Sequence, residues 1–259
     1  MNRNLLIKLS FIVSIISLLF IIYPIIHIFI NISVDSLVKT LLDKSVWNSI
    51  FVSLFCAFSA TILGCVMGIP LAYFINKNRL KGTIFIESII NLPVAIPHVA
   101  VGIALISLFN ERTLIGSFFS KFHISFVDTI YGIIIAMLFV SLSFIISSSL
   151  NGFDSIEPEI EMVSRTLGAS PTYTFFHITF PLALPFILRG AVLAFARSIS
   201  EVGAILIIAY YPKTAPILMY EKFEEYGLNA ARPVTAIVIL VCIIIFFTLL
   251  YLNKFYARR

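Results

Sequence analysis

The sequence predicts an all-helical integral membrane protein with about six transmembrane helices and one short cytoplasmic helix. Of its 259 residues, 60% are hydrophobic and 12% are charged. A soluble domain of this length needs more charged side chains than that to cover its surface. A bilayer core of about 30 Å requires about 20 apolar residues in helical form, and about six runs of that length follow one another along the chain. Lipid is therefore the solvent that fits this composition.

The first apolar run, at 9–31, resembles a signal peptide because Arg3 and Lys8 precede it. Its apolar stretch is too long for a signal peptide, and no Ala-x-Ala cleavage site follows, so we expect an uncleaved membrane anchor. The other runs cover 45–76, 88–109, 129–150, 182–210 and 233–252.

The second run carries small side chains at every fourth position, which places them on one helical face. Such a strip lets two membrane helices approach closely. Close packing is the first interpretation, and a face that slides during a conformational change is the second. The strip consists of Cys56, Ala60, Gly64, Gly68 and Ala72.

Basic residues between the runs indicate how the helices cross the membrane. About six crossings place both termini on one side, and the short link 76–83 carries Lys77, Arg79 and Lys81. Short basic loops of this kind remain in the cytoplasm. We therefore expect a multi-pass protein of the cell membrane, with both termini, this link and segment 151–182 in the cytoplasm.

The remaining composition excludes several other classes of protein. The formal net charge of +5 is spread singly or in short clusters between apolar runs, which fits membrane orientation and predicts no nucleic-acid partner. The three cysteines, Cys56, Cys65 and Cys242, lie inside apolar runs without Cys-x-x-Cys spacing. They indicate neither a disulfide framework nor a metal site.

Segment 151–182 has the pattern of a short docking helix. Ile160, Val163 and Leu167 fall on one helical face, Pro158 suits a first turn, and Gly168 suits a helix end in the left-handed conformation. One interpretation is a helix that lies on lipid. The acidic residues of its first turns favour the other, a helix that docks into a protein groove, because the inner leaflet is anionic.

The same segment resembles the EAA loop of type I ABC importer permeases, whose motif is Glu-Ala-Ala-x-x-x-Gly, then about nine residues, then Ile-x-Leu-Pro. Gly168 and Pro181 match its two strongest positions, while Met162 occupies the position of the glutamate. In that family the loop forms a coupling helix that sits in a groove of the ATP-binding subunit. The resemblance therefore implies the following residues for coupling to an ATPase: Glu161, Met162, Arg165, Thr166, Leu167, Gly168, Ala169 and Pro181.

Further stretches are similar to molybdate, tungstate and sulfate permeases of this family. Residues 196–204 read Ala-Arg-Ser-Ile-Ser-Glu-Val-Gly-Ala, and residues 92–98 read Leu-Pro-Val-Ala-Ile-Pro-His. The resemblance implies import of a tetrahedral oxyanion, molybdate or tungstate first and sulfate as the alternative. It also implies three kinds of partner: two ATP-binding subunits, a second copy of the permease, and an extracytoplasmic substrate-binding protein.

This resemblance divides the chain into three parts. Residues 1–44 form an N-terminal transmembrane anchor with an extracytoplasmic link. Residues 45–252 form a type I permease domain that contains the coupling loop 151–182. Residues 253–259 form a cytoplasmic tail.

Polar residues at membrane depth are candidates for the translocation pathway or its gate. Arg197 and Glu201 stand four residues apart, hence on one face of the fifth helix, and form either a packing ion pair or a gate. Pro93 and Pro97 interrupt the third helix and allow a bend or a cavity. His98 is more typical of a satisfied interior histidine than of a ligand.

Motifs of catalysis are missing from the sequence. It contains no Gly-x-x-x-x-Gly-Lys-Ser/Thr phosphate loop, no Gly-x-Ser-x-Gly and no His-Glu-x-x-His, which predicts no ATPase or hydrolase site of its own. Together with the resemblance, this implies a transport subunit that is not an enzyme, takes no cofactor and draws energy from a partner. An ion-coupled secondary transporter is the alternative from another class, although no tandem of interrupted helices indicates its inverted repeat.

Overall fold

A computed structural model describes residues 3–78 and 83–256, and almost all of these residues are helical. Five helices are long and apolar enough to cross a membrane, and one bent pair of helices supplies a sixth crossing if it is taken as one span. The predicted all-helical membrane fold is confirmed. In chain order the helices are α1 (Arg3–Ile30), α2 (Val34–Leu42), α3 (Lys44–Asn78), α4 (Thr83–Ala95), α5 (His98–Phe109), α6 (Leu114–Ser120), α7 (Ile130–Asp154), α8 (Pro158–Thr166), α9 (Pro171–Thr174), α10 (Phe180–Ile199), α11 (Gly203–Ile208), α12 (Ala215–Tyr226) and α13 (Leu228–Tyr256).

The third predicted span is not one straight helix. Helices α4 and α5 meet at an angle of 103°, and Pro97 is the N-cap residue of α5. Proline lacks an N–H for the helical ladder and disfavours helical geometry at the residue before it. Pro93, by contrast, lies within α4, so the break falls at the second proline alone.

The fifth predicted span, at 182–210, is wrong as a single helix. Helix α10 ends at Ile199, and α11 begins at Gly203. Glu201 therefore lies in the break, where one of its carboxylate oxygens accepts the Ala204 N–H at 2.8 Å. This side chain caps a new helix instead of continuing the old one.

The core lies where α3, α7 and α10 pack against each other. All five members of the small-residue strip on α3 are buried. Gly64 faces Ile145 of α7 so closely that a Cβ at this position would lie 2.6 Å from its Cδ1 atom. The close-packing interpretation of the strip is confirmed, because α7 fills the groove that small side chains leave.

Helix α1 stands apart from this core. None of the residues in its membrane window is buried, as expected for an apolar helix surrounded by lipid. The basic residues Arg79 and Lys81, on which part of the predicted orientation depends, lie outside the described residues.

Candidate functional site

Helix α8 is the predicted docking helix, and its end has the predicted geometry. Pro158 occupies its first turn. At the other end the Gly168 N–H donates to the Arg165 carbonyl at 3.0 Å, and the Ala169 N–H donates to the Ser164 carbonyl at 3.1 Å. This pair of bonds is a Schellman motif, which requires a left-handed residue, and Gly168 has φ +90°.

One face of α8 and its end are apolar and uncovered. Leu167 is 83% exposed, Val163 58% and Met162 55%, and Ile160 is exposed beside them. Apolar side chains clustered at a polar end of a membrane protein mark an interaction surface.

The opposite face of α8 is tied to the membrane helices by polar contacts. Glu161 accepts a hydrogen bond from the Thr179 hydroxyl at 2.7 Å and forms an ion pair with Lys77 at the end of α3. The Ser164 and Thr174 hydroxyls lie 3.0 Å apart. We call the contacts of Glu161 with Lys77 and Thr179 the brace.

The ionisation of Glu161 reflects this setting. Burial opposes the charge, but hydrogen bonds from Lys77 and Thr179 outweigh it, so the pKa of the carboxyl lies below its ordinary value. The carboxylate is therefore charged and held inside the chain's own structure, unlike Met162 beside it, which points outward.

A π-helix at Phe175–Thr179 joins α9 to α10. Such wide turns are rare and concentrate at functional sites. Here the π-helix ends at Thr179, and Pro181 follows in the first turn of α10. Of the remaining predicted coupling residues, Arg165 is exposed and Ala169 is half-buried, while the Thr166 hydroxyl bonds back to the Met162 carbonyl at 2.9 Å.

Three of the predicted gate residues form one cluster at the two helix breaks, which we call the junction cluster: His98, Arg197 and Glu201. Arg197 Nη2 lies 2.8 Å from Glu201 Oε2 and 2.8 Å from His98 Nε2. The Glu201 side chain is 1% exposed and that of Arg197 22%. Pro97 is the residue next to this cluster, whereas Pro93 lies more than a turn away within α4.

The two breaks can meet because glycines remove side chains from the contact. A Cβ at Gly203 would lie 2.7 Å from His98 Cβ, and a Cβ at Gly102 would lie 2.7 Å from the Ala204 carbonyl oxygen. Helices α5 and α11 therefore pack backbone against backbone, and the junction cluster sits at one end of this contact.

Sequence reasoning missed several of these partners. Lys77 and Thr179 are 84 and 18 residues from Glu161, and no spacing rule connects them. The roles of Gly102 and Gly203 were equally hidden, because a lone glycine in an apolar run has many explanations.

At the end of the bundle opposite α8, a second polar cluster joins α12 to the segment between α11 and α12. Glu221 forms an ion pair with Lys213 at 2.6 Å and accepts the Tyr210 hydroxyl at 2.8 Å. The hydrogen bond from Lys213 keeps the pKa of Glu221 below its ordinary value despite partial burial.

Membrane helices around two breaks, with a helix at one end that exposes an apolar face, are an arrangement also found in ABC transporters of known structure. The fold matches that of a bacterial ABC transporter involved in import of the polysaccharide alginate, with a TM-score of 0.74 at 20% identity over 97% of this chain and 96% of that one. It also matches the inward-facing MetNI methionine ABC transporter, with a TM-score of 0.65 at 17% identity over 82% of this chain and 94% of that one.

The chain belongs to the family of binding-protein-dependent transport system inner membrane components, whose model matches residues 60–259. A molybdate/tungstate transport system permease protein of Pyrococcus furiosus is 44% identical over 193 residues, 74% of this chain and 72% of the relative. One of Methanocaldococcus jannaschii is 42% identical over 77% of this chain and 78% of the relative. A sulfate transport system permease protein of Salmonella typhimurium is 28% identical over 78% of this chain and 75% of the relative.

Proposed function

We propose that this permease carries molybdate or tungstate across the cell membrane into the cytoplasm. The observation that carries the proposal is identity of 39–44% to four molybdate/tungstate permeases over about three-quarters of the chain. Sulfate is the second candidate, because it is also a tetrahedral dianion and sulfate permeases are similar at 27–33% identity.

The energy for transport comes from partner ATPases in this proposal. The chain has no phosphate-binding loop of its own, and permeases of this family work as assemblies. Two copies of the chain would surround a central pathway, with one ATPase docked on each α8 and a substrate-binding protein at the opposite end. The exposed Val163 and Leu167 are the side chains that enter the ATPase groove, as an amphipathic helix does.

The brace gives this docking a mechanical consequence. An ATPase that moves α8 also moves Glu161, whose contacts reach Lys77 on α3 and Thr179 just before α10. Closure of the two ATPases would thus shift the ends of two membrane helices together. ATP binding biases the pathway from inward-facing to outward-facing, since a ligand can shift an equilibrium only by its differential affinity for the two states.

The junction cluster is the proposed gate. It joins the beginning of α5 to the end of α10, so that a relative movement of these helices must break or remake its bonds. A buried ion pair also serves packing alone, and the two roles are separable by Arg197→Gln. A gate role predicts altered uptake at normal protein level, whereas unchanged uptake removes Arg197 from the mechanism.

Docking through α8 is tested by Leu167→Asp. A charge on this side chain should prevent the ATPase from copurifying with the permease. The matched control is Leu114→Asp at the opposite end of the bundle, where the side chain is 91% exposed. Normal ATPase copurification with Leu167→Asp would contradict docking at this surface.

The substrate is tested by reconstitution. The chain, its ATPase subunits and its binding protein are placed in proteoliposomes, and uptake of radioactive molybdate, tungstate and sulfate is compared with and without ATP. We expect ATP-dependent uptake of molybdate and tungstate. Uptake of sulfate alone would assign the sulfate alternative, and uptake that needs no ATP would assign an ion-coupled carrier.

A further inference from the structure

We propose that Arg189 is a cationic contact for the oxyanion, on a stripe of α10 that lines the water-filled pathway. This inference deepens the proposed function and rests on it for the identity of the anion. It concerns a residue outside the junction cluster and outside the coupling segment.

Arg189 lies near the middle of α10, in a helical segment that is long and apolar enough to cross a membrane. It is nine residues beyond Phe180 and eight before Arg197, which at the helical rise corresponds to about 14 Å and about 12 Å along the axis. The helical segment that contains it runs from Pro171 to Ile199. Charged side chains at such a depth are rare and almost always face the bundle interior or a water-filled cavity.

The side chain of Arg189 has no counter-charge in the described part of the chain. Four ion pairs occur there within 4 Å, and none involves Arg189, whose side chain is exposed. Arg197 differs, because Glu201 neutralises it at 2.8 Å. Of these two arginines on α10, Arg189 is the one whose charge stays available to an anion.

The exposed stripe of α10 is different in kind from that of α3. On α3 the exposed positions are apolar at Phe51, Phe55, Phe58, Ile62 and Val66, as expected for a face on lipid. On α10 the exposed residues recur with the same helical spacing, but arginine interrupts the apolar series. They are Pro181, Leu182, Phe186, Arg189 and Leu193, and the exposed Ser200 follows the last residue of the helix. The apolar stripe of α3 is stable against lipid, whereas an arginine on the α10 stripe would be costly there. Water is therefore the solvent that fits the α10 stripe.

Neutral hydrogen-bond donors lie at the same level of the bundle. Gly190 packs on α7 so closely that a Cβ there would lie 2.6 Å from Ser148 Cβ. Ser148 lines a cavity of about 360 Å³ between α4 and α7, together with Asn91, Ser143 and Ser147. The buried Ser143 hydroxyl has no hydrogen-bond partner among the described residues.

The chemistry of this level suits a tetrahedral dianion. A guanidinium offers a planar pair of N–H donors to two oxygens of such an anion. A pathway contact must bind strongly enough for entry and weakly enough for release. One arginine with neutral donors nearby meets both conditions better than a closed cage of cations.

Water access at position 189 is the first test. Arg189→Cys is made in a chain whose Cys56, Cys65 and Cys242 are replaced by alanine, assembled with its ATPases in lipid nanodiscs. The probe is an anionic, membrane-impermeant methanethiosulfonate, and the matched control is Phe58→Cys on the apolar stripe. We expect position 189 to react at least tenfold faster than position 58. Equal, slow reaction at both positions would overturn the inference.

Transport is the second test, with Arg189→Gln and Arg189→Lys in the reconstituted system. We expect Arg189→Gln to raise the half-saturating anion concentration for uptake about tenfold while ATP hydrolysis continues, and Arg189→Lys to restore part of it. If the wild type takes up the anion and Arg189→Gln takes it up equally well, the inference is overturned and the proposed function stays intact. A wild type that takes up no oxyanion would instead overturn the proposed function, while the labelling test would still decide whether position 189 faces water.

Discussion

The guanidinium of Arg197 donates to the carboxylate of Glu201 across the end of a helix, with 2.8 Å between Nη2 and Oε2. The other carboxylate oxygen accepts the Ala204 N–H at 2.8 Å and so begins α11. His98 lies against the same guanidinium. One buried carboxylate thereby holds the end of α10, the start of α11 and the start of α5 in a fixed arrangement.

Removal of this carboxylate should destabilise the permease. Glu201→Ala leaves Arg197 without its counter-charge and the Ala204 N–H without its cap. Breaking a buried pair costs about 3–5 kcal/mol, and partial exposure of Arg197 places this case at the lower end, about 3 kcal/mol. The measurement is the thermal unfolding midpoint of the purified chain in detergent. Glu224→Ala, at an exposed position of α12, is the control, and equal midpoints for the two variants would contradict the proposed role.

The backbone contact between α5 and α11 makes a second prediction. A Cβ at Gly102 meets the Ala204 carbonyl oxygen at 2.7 Å, whereas the one close contact of a Cβ at Gly64 is with the flexible tip of Ile145, at 2.6 Å. Backbone cannot yield as a side chain can, so Gly102→Ala should cost about 2–3 kcal/mol and Gly64→Ala about 1 kcal/mol. Thermal midpoints of the two variants, measured side by side, decide this order. A lower thermal midpoint for Gly64→Ala than for Gly102→Ala would contradict this order and show that α11 shifts easily.

Much of this fold follows from the sequence, because it depends on local properties. Apolar runs predict the membrane helices, the proline at 97 predicts an interruption, and Gly168 predicts the end of the docking helix. Each of these signals acts within a few residues of the feature it causes. The small-residue strip on α3 is similarly readable, since every fourth position lies on one helical face.

The rest depends on contacts between distant residues, which no local signal reveals. The sequence predicts one apolar helix over 182–210. In the structure the helix ends at Ile199, because Glu201 caps the next helix and pairs with Arg197. The pairing of Glu161 with Lys77 spans 84 positions. The motif suggested an ATPase contact for Glu161, whereas its side chain turns toward the permease and only the packed bundle determines which face is free.

The brace predicts that Glu161 matters for coupling although it is turned away from the exposed face. Glu161→Ala removes the link from α8 to α3 and to Thr179, so an ATPase could still dock while its movement would no longer reach the membrane helices. We expect ATPase copurification to persist and uptake per ATP hydrolysed to fall several-fold. Glu159→Ala, on the exposed part of the same helix, is the control. Normal uptake by Glu161→Ala would contradict a role for the brace.

Acid should weaken the brace in a defined direction. The pKa of Glu161 is lowered from its ordinary value of 4.5 in the folded protein, so its stabilising contribution is fully present above that value. The contribution is lost as the pH falls below 4.5 and through the lowered folded value. The difference in thermal midpoint between wild type and Glu161→Gln should therefore be constant from neutral pH down to about pH 5 and shrink below it. A difference that grows on acidification would reverse the assigned sign.

Substitutions at the end of the docking helix can separate an effect on ATPase coupling from an effect on protein stability. Gly168 has φ +90° and Gly227, at the opposite end of the bundle, has φ +76°, and a Cβ at either position meets nothing within 4 Å. Valine at either site therefore introduces backbone strain without a clash, at about 1–2 kcal/mol at Gly168 and more at Gly227, whose ψ of −176° lies in a region that essentially only glycine adopts. Gly227→Val should lose at least as much thermal stability as Gly168→Val, but Gly168→Val alone should distort the Schellman motif beside Leu167 and lower ATP-driven uptake several-fold. Gly168→Asn should recover part of that uptake, because asparagine adopts the left-handed conformation more readily. Equal losses of uptake in the Gly168 and Gly227 variants would mean that strain acts through overall stability and that the geometry at the end of α8 has no separate part in coupling.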